Sequence, residues 1–163
     1  VEHTYGRGSQ GRCNRGTAHA SAKSTILREI YQRHACKRCS RSPEIAGLLG
    51  IESPRKIIDV GGDSGAYAAA FSARFPNAQV ILFDLPQVIE IAPQFLAKHA
   101  GGQRVQLVAG DMRNDEFPGP ADLIWLSAIV HMFSAQENSE LIARAARALS
   151  PGGTLAIQGL RHG

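Results

Sequence analysis

The chain has 163 residues, 44% hydrophobic, 20% charged and 6% aromatic, which is one domain's worth of core-forming sequence and too apolar for a disordered chain. It contains no run of about 18 apolar residues, which excludes a membrane-spanning helix, and its first residues hold no apolar signal region, so a soluble cytoplasmic protein is expected. The net charge of +4 is lopsided, because residues 1–50 carry nine Lys/Arg against three acids and residues 51–163 carry nine against eleven.

Residues 1–22 are rich in Gly, Arg, Ser, His and Ala and show neither helical nor strand period, the composition of a disordered arm. A short basic helix is possible from Thr25 to Cys39, with Ile26, Leu27, Ile30 and Tyr31 on one stripe. Ser42-Pro43 opens a helix running to Leu49, with Ser42 as N-cap and Gly50 as stop. Beyond Pro54 the character changes. Lys56–Val60 reads as a buried strand ending in Gly61-Gly62, and Ala66–Phe75 as a small-residue helix closed by Pro76-Asn77. Gln79–Phe83 is a second strand ending in Asp84. Gln87–His99 is a helix with Pro93 inside it and Gly101-Gly102 after it. Arg104–Ala109, Asp122–Ser127 and Thr154–Gln158 are three further strands, and Gln136–Leu149 is a helix stopped by Pro151-Gly152-Gly153. Strands that read as continuous apolar runs and alternate with helices predict an α/β fold, a parallel sheet with helices on both faces.

Such sheets bind ligands beyond the carboxyl ends of their strands. Four ends carry acids or glycines: Asp59 to Gly65, Asp84, Gly110-Asp111, and Ser127 to His131. An acid at one strand end is often only a turn residue, but four in register point to a ligand. The turn Gly61-Gly62-Asp63-Ser64-Gly65 lets backbone approach that ligand and aims helix-start N–H groups at it. Asp84 is placed to accept both hydroxyls of a ribose, which suits any adenosine-containing ligand, NAD included. A dinucleotide fingerprint starting at Gly61 requires glycine at 63 and Gly or Ala at 66. Ala66 fits and Asp63 does not, so an NAD-binding oxidoreductase domain stands as an alternative.

Taken in order, Ile57-Ile58-Asp59-Val60-Gly61-Gly62-Asp63-Ser64-Gly65, Phe83-Asp84-Leu85-Pro86, Arg104-Val105 to Gly110-Asp111-Met112, His131-Met132-Phe133 and Ala148-Leu149-Ser150-Pro151-Gly152-Gly153 resemble the S-adenosylmethionine-dependent O-methyltransferases. The likeness is to the catalytic domain of the plant caffeate and acetylserotonin type and its bacterial relatives, over about residues 43–160. It implies a Rossmann-like class I methyltransferase sheet, S-adenosyl-L-methionine as cofactor, a small-molecule hydroxyl as methyl acceptor, and no metal. By the same resemblance Gly61, Gly62 and Gly65 hold the methionine part of the cofactor, Asp84 the ribose, and Asp111 with Met112 the adenine. Asp59, Asp63, Leu85, Gly110 and Ser127 complete the expected cofactor-binding set. His131 matches the general base, a role that needs a neutral imidazole within reach of the acceptor's proton.

Three positions depart from the family pattern. Asp63 stands where glycine is expected, Met132-Phe133 replaces Asp-Trp, and Gln158-Gly159 replaces an acid that orients the histidine. Family subunits are about twice as long, are homodimers through a helical N-terminal domain, and carry two strands after the fifth. Residues 1–42 are therefore expected to be a basic segment foreign to the domain, and residues 43–163 a partial domain lacking the last two strands. A non-catalytic fragment is the corresponding alternative. The C-x-x-C of Cys36 and Cys39, with Cys13 and His19 upstream, is a weak zinc signal. The basic arm lacks aromatic interleaving, so nucleic acid is not an expected partner, and neither is a membrane.

Overall fold

The computed structural model describes residues 42–159. The expected basic segment, the helix over Thr25–Cys39 and the C-x-x-C lie outside the described residues. In chain order the elements are α1 (Ser42–Leu48), β1 (Lys56–Val60), α2 (Ala66–Arg74), β2 (Gln79–Asp84), α3 (Pro86–Leu96), β3 (Gln106–Ala109), β4 (Ala121–Ser127), α4 (Ala135–Arg147) and β5 (Leu149–Gln158). Single 3₁₀ turns occupy Gly102–Arg104 and Val130–Met132. No helix among the described residues is long and apolar enough to cross a membrane.

The strands form one parallel sheet in the order β3-β2-β1-β4-β5. The chain runs outward from β1 to β3, then returns to the other side of β1, so the order reverses between β1 and β4. Alternation along each strand sends side chains to two cores. Ile57, Val80, Leu82, Leu123 and Trp125 face one core with Tyr67, Phe71 and Phe75 of the α2 region and Ala92 and Leu96 of α3. Ile58, Val60, Ile81, Phe83, Ile124 and Leu126 face the other with Leu141, Ala145 and Ala148 around α4. Each buried Val, Leu, Ile or Phe among them is worth about 1.5–3 kcal/mol. The alanines of α2 bring its backbone close to the sheet, and Trp125 packs against Tyr67 and Phe71 at ring separations of 5.1 and 5.8 Å.

The expected sheet is present, and the differences lie at element ends. α4 starts at Ala135 because Ser134 and Glu137 form a capping box, Ser134 Oγ accepting from the Glu137 N–H and the Glu137 carboxylate accepting from the Ser134 N–H. α3 tolerates Pro93 but ends at Leu96, three residues before His99. β3 begins at Gln106, since Arg104 is drawn into a 3₁₀ turn and its guanidinium donates to the Ser72 carbonyl. β5 begins at Leu149 and carries the Pro151-Gly152-Gly153 segment as a bulge, the register with β4 jumping from Ala121↔Leu149 to Leu123↔Thr154. Among the described residues β5 pairs with β4 alone.

Asp122 stitches the entry of the two central strands. Its Oδ2 accepts from the N–H groups of Arg55 at 2.7 Å and Lys56 at 3.2 Å. The Arg55 N–H, above all, holds the carboxyl below its ordinary range. A depressed value in the folded chain means stability that is present above the unfolded-chain pKa and lost as pH falls through the folded one. Asp122→Ala is expected to cost about 1 kcal/mol at neutral pH in urea unfolding, and the difference from wild type should shrink towards zero below about pH 4.

Candidate functional site

The glycine turn after β1 is held from three sides. The Gly61 N–H donates to the Phe83 carbonyl at 2.8 Å, and the Asp63 N–H donates to Asp84 Oδ2 at 2.9 Å. Asp84 Oδ1 accepts from the Leu85 N–H at 2.8 Å, so the carboxylate at the end of β2 is fixed against both the turn and the start of α3. From below, the fully buried Asp59 accepts the Ala68 N–H on Oδ2 at 3.0 Å. Gly65, the N-cap of α2, has no side chain to offer, and Asp59 of β1 supplies that cap in its place. A Cβ on Gly62 would collide with the Asp59 carboxylate and with Leu82, which is why glycine stands there. Asp63 has φ +59, a left-handed conformation that glycine adopts freely and aspartate tolerates better than most residues. The glycine expected at this position thus answers to the backbone.

Across the switch point, β4 ends at Ser127 and the chain reverses at Ala128, whose φ is +55. The reversal buries Ile129 and leaves His131 exposed on the Val130–Met132 turn. Asn138 of α4 braces that turn, its Nδ2 donating to the carbonyls of Val130 at 2.9 Å and Phe133 at 3.2 Å. Met112, half-buried, and Ile129 meet over Gly61, where a Cβ would strike both. Gly110 donates its N–H to the Asp84 carbonyl and lies against the Phe83 ring. The loop after β3 is pinned from α4, since Arg144 donates to the carbonyls of Met112 and Arg113, each at 2.8 Å.

The O-methyltransferase domain pattern matches residues 43–159, which is most of the chain. The chain belongs to the O-methyltransferase domain family. It is 34% identical over 113 residues to the demethylspheroidene O-methyltransferase of Cereibacter sphaeroides, covering 69% of this chain and 29% of that protein. The O-methyltransferase family 2 protein from Planctomyces limnophilus, solved in complex with apigenin, superposes with a TM-score of 0.74 at 34% identity, over 83% of this chain and 43% of that one. The human N-acetylserotonin methyltransferase, solved in complex with SAM, shares the fold with a TM-score of 0.72 at 22% identity, over 83% of this chain and 38% of that one. The chain therefore spans less than half the length of these relatives.

Within this O-methyltransferase domain, the carboxyl edge gathers Gly61, Gly62, Asp63, Gly65, Asp84, Leu85, Gly110, Asp111, Met112 and the His131 turn. The donor set fits an S-adenosylmethionine. Asp84 is a rigid acceptor at the end of β2, Met112 is an apolar contact above Gly61, and the Ser64 hydroxyl in the turn is buried with no hydrogen-bond partner. Asp59 and Ser127, buried like Asp63, Ser64 and Asp84, are tied into the scaffold: Asp59 caps α2, and Ser127 Oγ donates to Gln158 Oε1 at 3.0 Å. Gln158 Oε1 also accepts from the Tyr67 hydroxyl at 2.6 Å, and no hydrogen bond joins Gln158 to His131. Asn138 and Arg144 carry no motif in the sequence. The signal available is that Asn138 continues the stripe of Leu141, Ala145 and Ala148, where an apolar residue is expected.

The turn can be tested without a ligand. Gly62→Ala is expected to destabilise the fold by about 1–3 kcal/mol, because the added methyl displaces a buried carboxylate. A melting temperature equal to wild type would show that Asp59 does not lie under the turn.

Proposed function

We propose that the chain transfers a methyl group from S-adenosyl-L-methionine to a hydroxyl of a small molecule, with His131 as general base. The observation that carries this reading is the meeting, at one switch point, of the rigid Asp84 carboxylate, the glycine turn and an exposed histidine on a braced turn. When bound, the cofactor supplies a methyl group made electrophilic by its sulfonium. Asp84 is suited to hold its ribose, the Gly61–Gly65 turn with the Ser64 hydroxyl its amino-acid end, and Met112 the face of its adenine. His131 accepts the hydroxyl proton on a ring nitrogen, which bares the oxygen as nucleophile. Positioning does the rest of the protein's work, because two reactants held in line need little further help. Met132, exposed beside His131, offers the acceptor an apolar contact.

A second reading, a domain that binds the cofactor without turning it over, is favoured by the commitment of Gln158 to Tyr67 and Ser127. Among the described residues that leaves His131 with no partner to orient its ring.

Calorimetry with S-adenosylhomocysteine and a radiolabelled methyl-transfer assay over a panel of phenols separate the two readings. His131→Ala is expected to lower turnover by roughly 10²–10⁴-fold while leaving cofactor affinity unchanged. Asp84→Asn is expected to weaken affinity instead. Unchanged turnover in His131→Ala removes it from the mechanism, and binding with no transfer to any phenol selects the second reading.

A further inference from the structure

Asp111 is the acid that the cofactor reading assigns to the adenine, yet its carboxylate is already fully engaged. Oδ1 accepts from the Arg113 N–H at 2.9 Å and from Arg113 Nε at 3.2 Å. Oδ2 accepts from Arg113 Nη2 at 3.0 Å and from Asn114 Nδ2 at 3.2 Å. A carboxylate offers about four lone-pair sites, and here four donors fill them. The 6-amino group of an adenine is a donor, and in this arrangement Asp111 has no acceptor site left to give it.

We infer that the Arg113 guanidinium is a clasp that withholds Asp111 from the adenine amino group, so that Arg113 sets cofactor affinity without touching the reacting atoms. This deepens the cofactor reading proposed above and rests on it. Two features make the clasp a matter of one side chain. The backbone beneath it is fixed, because Arg144 of α4 holds the carbonyls of Met112 and Arg113 and the Asp111 N–H donates to Asp115 Oδ2 at 2.8 Å. The guanidinium itself is more than half exposed, and an alternative anionic berth is adjacent, where Arg113, Phe133, Glu137, Glu140 and Leu141 line a small cleft. Swinging Arg113 toward Glu137 and Glu140 leaves one donor on each Asp111 oxygen, the Arg113 N–H and the Asn114 amide, and opens an acceptor position on both.

The test is calorimetric titration of the whole chain and of Arg113→Ala and Arg113→Met. The two probes are S-adenosylhomocysteine and its purine-riboside analogue, which lacks the 6-amino group. Wild type should bind the two probes within about twofold of one another. Both variants should bind S-adenosylhomocysteine roughly fivefold more tightly than wild type, and should lose that gain with the analogue. Arg113→Met keeps the apolar stem, so a gain shared by both variants belongs to the missing fork. Equal or weaker binding of S-adenosylhomocysteine by the variants overturns the clasp and leaves the cofactor reading intact, as does an equal gain for both probes. Failure of all three proteins to bind either probe overturns the cofactor reading and the clasp with it.

Discussion

The carboxyl edge of this sheet depends on a carboxylate that never meets solvent. A buried polar group is costly unless it is hydrogen-bonded, and Asp59 accepts from the Ala68 N–H at the amino end of α2. That bond caps the start of α2, the Asp59 carboxylate together with Leu82 leaves no room for a side chain at position 62, and the turn between them runs through left-handed conformations at Gly61, Asp63 and Gly65. The Asp63 N–H is thereby delivered to Asp84, so an acid buried under one strand end positions the acid at the next.

What was legible follows from what a sequence pattern encodes. β1, β2 and β4 are central strands covered on both faces, so Lys56–Val60, Gln79–Asp84 and Ala121–Ser127 appear as apolar runs, and their ends are marked by glycine or a polar residue. The edge strands were harder. β3 is only partly covered, and its start is decided by where Arg104 finds the Ser72 carbonyl, far away in sequence. In β5 a Pro-Gly-Gly that signals a stop in isolation is absorbed as a bulge, because β4 goes on pairing past it.

At the site, the residue pattern marks which residues gather at the edge but not how they are engaged there. Asp84 and Asp111 look alike in sequence, each an acid following a short strand. Asp84 is held by backbone N–H groups, whereas Asp111 is covered by the Arg113 side chain two residues on, a difference that the acids themselves do not reveal. Gln158 has the same lesson. Its place at the end of β5 suggests a partner for His131, but its register neighbour is Ser127, and Tyr67 of α2 overhangs the same face.

One helix underlies both halves of the site. Asn138 grips the turn that carries His131, and Arg144, less than two turns further along α4, grips the loop that carries Asp111 and Met112. These are side chain to carbonyl bonds, indifferent to which side chains the loops bear. The same arrangement makes α4 a shared lever. A rotation of this one element about its axis would shift the His131 turn and the Asp111–Met112 loop together, so the two loops move as one body with α4.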